Sequence, residues 1–173
     1  LRAGGLLAFP TETVYGLGAD ATNDMAVARI YAAKGRPNFN PLIAHFSDVA
    51  SAKSHVIWPK EAEILADAFW PGAITFVLEK RKDSRLSPLL SAGLSSVAIR
   101  VPNHPVAADL LHRLAGPIAA PSANPSGAIS PTTSEHVLAG LFGQIEGVVD
   151  GGACRLGLES TIIGLTAEAT LLR

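Results

Sequence analysis

The sequence has 173 residues, 48% of them hydrophobic and 17% charged, enough apolar material for one sizeable core and near the usual size of one domain. Lys and Arg total 14 against 15 Asp and Glu, a net charge of -1, so the general electrostatic footprint of a nucleic-acid-binding protein is missing and any RNA contact has to be local. A single cysteine, Cys154, excludes an internal disulfide and a cysteine-built zinc site, and no apolar run approaches the ~20 residues of a membrane-spanning helix.

In chain order, Leu6 to Phe9 is a short apolar run closed by Pro10, which predicts a buried strand feeding a loop from Thr11 to Asp20. Asn23 or Asp24 caps a helix that buries Val27, Ile30 and Tyr31 and is stopped by Gly35 and Pro37, which puts Lys34 and Arg36 at a helix end. Leu42 to Ala44 predicts a strand, Lys60 to Phe69 a helix and Ile74 to Leu78 another strand. The polar, Ser-rich stretch from Arg81 to Ser96 is interrupted by Pro88 and Gly93 and predicts a mobile segment, a lid or, by preference, a surface loop. Strands follow at Val97 to Val101, Ile118 to Ala120, Val148-Val149 and Ile162-Ile163, with helices at Val106 to Leu114 and Ser134 to Leu141. Strands and helices interleave throughout, so the fold class expected is α/β, an open mixed sheet flanked by helices, in a single domain over residues 1–173.

No G-x-x-x-x-G-K-[ST] phosphate loop is present, and Gly16-Leu17-Gly18 lacks the third glycine of a dinucleotide fingerprint. The five histidines show no metal-ligand spacing and no G-x-S-x-G elbow occurs, which leaves no protein-built metal site to name and argues against metalloprotease and serine-hydrolase chemistry.

What remains is polar residues in Pro/Gly-rich loops placed directly after apolar strands. Pro10 to Gly18, with Thr11 and Thr13, suits a zwitterion or phosphate, although an ordinary turn explains it equally well. Lys34-Gly35-Arg36-Pro37, followed by Asn38, Asn40 and His45, suits a polyphosphate or is a solvated helix end. Pro121 to Gly127, with Ser122 and Asn124, and Ser130 behind it, suits phosphates or a ribose, or else caps the helix that follows. Gly157 to Thr161 precedes a strand. Arg100 lies inside a strand, where an uncompensated charge is costly, so it meets either a bound anion or an internal Asp or Glu.

Read together, FPTETVYGLG, IYAAKGRPNFNPLIAH, WPGAITFVL, VAIRVPNHP, PIAAPSANPSG, GLESTII and LLR resemble the threonylcarbamoyl-AMP synthase family, also called YrdC-like, in the family's order and over practically the whole chain. The resemblance implies a twisted open α/β sheet around a large, positively lined cavity. It implies condensation of L-threonine with bicarbonate to a carbamate, attack on the α-phosphate of ATP and release of pyrophosphate, which makes the protein a nucleotidyltransferase. A downstream transferase then delivers the threonylcarbamoyl group to tRNA, which the synthase itself binds at most weakly. By position, Thr13, His45, Arg100 and Ser160 match the family's threonine-side residues, with Arg100 as the carboxylate clamp. Lys34, Arg36, Asn40, Ser96, Ser122, Asn124, Ser130 and Arg173 match its ATP-side residues. Lys34 and Arg36 are assigned the catalytic task of neutralising phosphate charge, and Mg²⁺ is expected to be carried mainly by the triphosphate. His45 either assists proton removal from the threonine ammonium or only hydrogen-bonds.

The family usually has a helix before the point where this sequence begins and continues past Arg173, so a fragment of a longer chain is an open expectation, and a cytoplasmic setting is expected. Two rivals are a carbamoyltransferase of the same fold that uses carbamoyl phosphate, and a non-catalytic RNA-binding module, whose only local support is Lys80, Arg81, Lys82 and Arg85.

Overall fold

The structure is a computed structural model that describes residues 1–173. The elements in chain order are β1 (Leu7–Phe9), β2 (Gly16–Asp20), α1 (Asp24–Lys34), β3 (Ile43–His45), α2 (Val49–Lys53), α3 (Lys60–Phe69), β4 (Ile74–Glu79), β5 (Ser96–Arg100), α4 (Pro105–Leu114), β6 (Ile118–Ala119), α5 (Ser134–Leu141), β7 (Gly147–Val148), β8 (Thr161–Gly164) and β9 (Thr170–Leu171). They form one open nine-stranded sheet in the order β7-β1-β2-β6-β3-β5-β4-β8-β9. The pairs β1–β7, β3–β5 and β4–β8 are parallel and the other pairs antiparallel, which is the mixed α/β sheet expected from the interleaved pattern. No helix is long and apolar enough to cross a membrane.

The two-residue alternation of strands assigns the two faces of the sheet. Ala8, Leu17, Ala19, Ala44, Phe76, Leu78, Val97 and Ile99 join the main core, together with Val27 and Ile30 of α1, Ala62 and Ala66 of α3 and Val137 and Leu141 of α5. Phe9, Ile118 and Ala120 point the other way, into a second small core with Ala107 and Leu111 of α4. Helix α4 covers only part of that second face. Beyond it, Val77, Ala98, Arg100, Ile43 and His45 line a cavity.

Glycine explains how β2 fits between the two faces. A Cβ on Gly18 would stand 2.8 Å from Phe9 Cε1 and 3.0 Å from Ile118 Cγ2, so the second core closes only over a bare backbone there. Gly16, on the same face, borders the cavity.

Four expectations need correction. The stretch Thr11 to Asp20 is not all loop: Gly16–Asp20 is a strand between β1 and β6, disguised by its two glycines. The short helix α2, capped by Asp48 accepting from Ser51 N at 2.7 Å, and the edge strand β9 were not expected. The segment from Arg81 to Ser96 is neither lid nor plain surface loop. Leu86 and Leu90 are main-core residues, Pro88–Ser91 is a turn of 3₁₀-helix, and Tyr31 Oη donates to Leu89 O at 2.9 Å. Its basic residues Arg81, Lys82 and Arg85 are exposed, Arg81 paired with Asp83 at 3.0 Å, while Ser87 and Ser91 are buried with the leucines.

The two tryptophans, Trp58 and Trp70, gather around Phe76 on the main-core side of β4, with Trp70 stacked on Phe76 at 4.5 Å between centroids. Leu90→Ala tests whether the 81–96 segment belongs to the core. A loss of ~2–5 kcal/mol in urea unfolding is expected, whereas a change within ~0.5 kcal/mol would return the segment to the surface.

Candidate functional site

The cavity has a volume of about 380 Å³ and opens on the face that α4 leaves uncovered. Its wall comes from strand ends and the loops that follow them: Thr11 to Gly16 after β1, residues 36 to 45 after α1, Ala120 to Ser122 after β6, Glu159 to Ile162 entering β8, and Arg173 after β9.

Arg100 is 3% exposed. Strand β5 aims it into the cavity face because it alternates with Val97 and Ile99, which are buried in the main core. Its Nη2 donates to Glu12 Oε1 at 2.7 Å, Nη1 to Thr13 Oγ1 at 3.0 Å and Nε to the Gly72 carbonyl at 3.1 Å. The internal acid partner left open by the sequence is therefore Glu12, itself 3% exposed. Thr13 Oγ1 also shares a hydrogen bond with Thr11 Oγ1 at 2.8 Å, so this loop is tied to both its own turn and β5.

His45 sits opposite Arg100 in the β3–β5 register, with Phe9 edge-on at 6.4 Å. Burial, and the positive Arg100 beside it, push its imidazole down to about 3, so it is neutral at physiological pH, and Nδ1 has no partner. A base that weak has little capacity to take a proton from an ammonium, which favours the hydrogen-bonding role for His45.

Ser160 is buried and shares a hydrogen bond with Thr75 Oγ1 at 2.7 Å. The Arg173 guanidinium lies against it, with Nε donating to Ser160 O at 3.1 Å. Glu159 accepts from Ser130 Oγ at 2.5 Å, which draws its carboxyl below the usual range, and it is the one carboxylate residue on the cavity wall.

Lys34 ends α1 and is 3% exposed. Its ammonium donates to the Ser122 carbonyl at 2.6 Å and to the Asn124 carbonyl, so it grips the 122–124 loop from behind and does not line the cavity. Burial, and secondarily Arg36, lower it to about 8. Arg36 does reach the wall and is braced by the carbonyls of Asn40 at 3.2 Å and Pro41 at 2.9 Å.

Of the sequence-assigned residues, Thr13, Arg36, Asn40, His45, Arg100, Ser122, Ser160 and Arg173 are brought together on one wall. Lys34, Asn124 and Ser130 stand just behind it, linked through Ser122 and Glu159. Ser96 lies on the same face of β5 as Ala98 and Arg100, beyond the cavity edge. Thr11 was read only as part of the Pro10 to Gly18 loop, and Glu12, Thr75 and Glu159 were not assigned. The rule that a strand arginine needs a counter-charge called for an acid partner, but nothing in the sequence distinguishes Glu12 from the other acids as that partner.

The wall carries Arg36, Arg100 and Arg173 against Glu159, with Glu12 paired behind Arg100, which leaves a mildly basic concavity with hydroxyl and amide donors, suited to an anionic ligand.

The family model Sua5_yciO_yrdC, described as telomere recombination, matches residues 1–173. The chain is 50% identical over 173 residues to a threonylcarbamoyl-AMP synthase of Bacillus subtilis, covering 99% of the chain and 50% of that protein. It is 50% identical over 170 residues to the synthase of that name from Pyrococcus abyssi, covering 96% of the chain and 48% of that protein. A crystal structure of P. abyssi Sua5 complexed with L-threonine superposes with a TM-score of 0.96 at 48% identity, over 99% of the chain and 51% of that one. The chain thus spans about half the length of these relatives.

Titration of His45 gives a checkable consequence. Its folded value of about 3 lies below the ordinary 6.5, so between these the unfolded chain binds a proton that the folded chain refuses. Stability is complete above pH 6.5 and falls as pH drops toward 3. In urea titrations at a series of pH values, His45→Gln is expected to flatten this fall, leaving the share of the half-buried His55 and His104 and, at the acid end, that of carboxylates such as Asp48 and Glu159, whose hydrogen bonds hold them below their ordinary range. An unchanged pH slope would contradict the buried, neutral imidazole.

Proposed function

Because this chain belongs to the Sua5/YciO/YrdC family, we propose that it acts as a threonylcarbamoyl-AMP synthase, forming L-threonylcarbamoyladenylate and pyrophosphate from L-threonine, bicarbonate and ATP. The observation that carries this reading is the graded cavity wall. A buried, fork-shaped donor, Arg100, lies beside the hydroxyl of Thr13, and two less buried arginines, Arg36 and Arg173, stand nearer the mouth. The first suits an amino-acid carboxylate, the others the oxygens of a polyphosphate.

In this mechanism the threonine ammonium gives up a proton to solvent and the free amine and bicarbonate give a carbamate with loss of water. A carbamate oxygen attacks the α-phosphorus, the bond from that phosphorus to the bridging oxygen breaks, and pyrophosphate leaves. The carbamate is already a nucleophile, so the protein's task is to align it, exclude water and neutralise charge on the phosphate oxygens. Arg36 and Arg173 are placed for the last of these. Lys34 acts through the Ser122 and Asn124 carbonyls that it holds, with its charge behind the same loop. No three His, Cys, Asp or Glu side chains cluster as a metal site, and Mg²⁺ is proposed to enter on the triphosphate, whose oxygens suit a hard cation. A cytoplasmic setting and a downstream transferase acting on tRNA complete the reading. The local support for RNA binding is weakened by the pairing of Arg81 with Asp83.

The purified chain is expected to release pyrophosphate from ATP only when bicarbonate and L-threonine are both present, with serine as the control. Turnover with carbamoyl phosphate and none with threonine would instead establish the carbamoyltransferase. Arg100→Lys keeps a charge for Glu12 but loses the fork. It is expected to raise KM for threonine ~10- to 100-fold with little change in KM for ATP, and equal losses for both substrates would remove Arg100 as the clamp.

A further inference from the structure

Glu12 is not explained by the turn in which it sits. Within that turn Thr11 Oγ1 accepts from Thr13 N at 3.2 Å and from Val14 N at 3.3 Å and donates to Val14 O at 2.7 Å, so the backbone is closed without the Glu12 carboxylate. That carboxylate makes one ion pair, Oε1 with Arg100 Nη2 at 2.7 Å, both side chains being 4% exposed. Its second oxygen is buried with no hydrogen-bond partner. A buried charge held at that cost, with all its recorded bonding directed at one cavity residue, points to a task performed through Arg100.

A guanidinium has five N–H groups. The bonds to Glu12, Thr13 and Gly72 use three, which leaves two on a residue lining the cavity. We propose that Glu12 is a positioning and specificity-determining residue that fixes the Arg100 guanidinium, cancels its charge and so reserves its two remaining N–H groups for the carboxylate of a neutral zwitterion, denying the site to small inorganic anions. The proposal rests on reading this end of the cavity as an amino-acid site.

The electrostatic logic is direct. An uncompensated arginine in a cavity open to water attracts any small anion, and phosphate, sulfate and chloride would compete with an amino acid there. With Glu12 at 2.7 Å the pair is neutral, and two directed N–H groups remain without net charge. A zwitterion leaves the balance near zero, whereas a dianion adds charge that the Glu12–Arg100 pair does not offset. Arg173 is faced in turn by Glu159, so the wall cation left without an acid beside it is Arg36, which is less buried than Arg100. Charge is therefore balanced within the Glu12–Arg100 pair and left positive at Arg36.

The test compares the unaltered chain with Glu12→Gln, which keeps size and a hydrogen-bond acceptor but removes the charge. Inorganic sulfate is the probe, read by the shift in melting temperature across a concentration series, which needs no turnover. Glu12→Gln is expected to bind sulfate roughly tenfold more tightly, and Glu12→Gln/Arg100→Met to lose that gain. Equal sulfate responses in the unaltered chain and Glu12→Gln, or a gain that survives the loss of Arg100, would overturn the proposal. If Glu12→Gln does not fold, Glu12→Asp takes its place. It keeps the charge but withdraws it by one methylene, so sulfate affinity should stay unchanged while KM for threonine rises several-fold and KM for ATP does not. An unchanged threonine KM would overturn the positioning role. Failure of the unaltered chain to release pyrophosphate would count against the synthase reading, while the sulfate comparison would still report on Glu12.

Discussion

A carboxylate and a guanidinium, each 4% exposed, meet at 2.7 Å beneath the cavity wall, and the arrangement of the site follows from that contact. Glu12 comes from the loop between β1 and β2, Arg100 from the end of β5, and the two are 88 residues apart in sequence. Taking two charges out of water costs several kcal/mol per ion unless the pair is well satisfied. Thr13 Oγ1 and the Gly72 carbonyl accept two further bonds from Arg100, joining β5 to the first loop and to the turn before β4. The wall is thus held by a junction of three segments whose geometry a core of aliphatic side chains would leave less defined.

The same principle recurs with Lys34, where a buried cation is satisfied by backbone oxygens. Its ammonium collects the Ser122 and Asn124 carbonyls, and the 122–124 loop takes its shape around that charge. The helix end that presents Lys34 is itself fixed by Gly35 in a left-handed conformation, whose N–H returns to the carbonyls of Ala32 and Tyr31. Tyr31 then ties the 3₁₀ segment to this corner through Leu89 O and Asn40 O, so the outer core and the rim at Asn40 share one anchor. Two aligned cations at 34 and 36 look alike in sequence, yet one builds the loop and the other reaches the cavity.

That difference shows how much was legible beforehand. Helices α1 and α3 were visible because punctuation, Asn23, Gly35 and Pro59 among it, agrees with their bounds, and α4 and α5 were read as Val106 to Leu114 and Ser134 to Leu141. Strands β3 to β5 were visible as short apolar runs. Strand β2 was not, since Gly16 and Gly18 read as loop residues until the bulk of Phe9 opposite them is known. Most of the candidate wall was legible because its hydroxyls and cations stand next to Pro and Gly in loops that follow strands. Glu12, Thr75 and Glu159 were not, because their meaning lies in partners far along the chain, and a single sequence carries no signal of which acid meets which base. The 81–96 segment was misjudged for a related reason: Leu86 and Leu90 bury a face that its serines and basic residues conceal.

The tryptophan cluster has a consequence for how this protein can be watched in solution. Trp58 and Trp70 pack with Phe76 on one side of β4, while Val77, the next residue, faces the cavity on the other. The strand stands between the chromophores and any bound molecule. Intrinsic fluorescence accordingly reports the integrity of the main core, so unfolding can be followed optically from the side of β4 that faces away from the cavity.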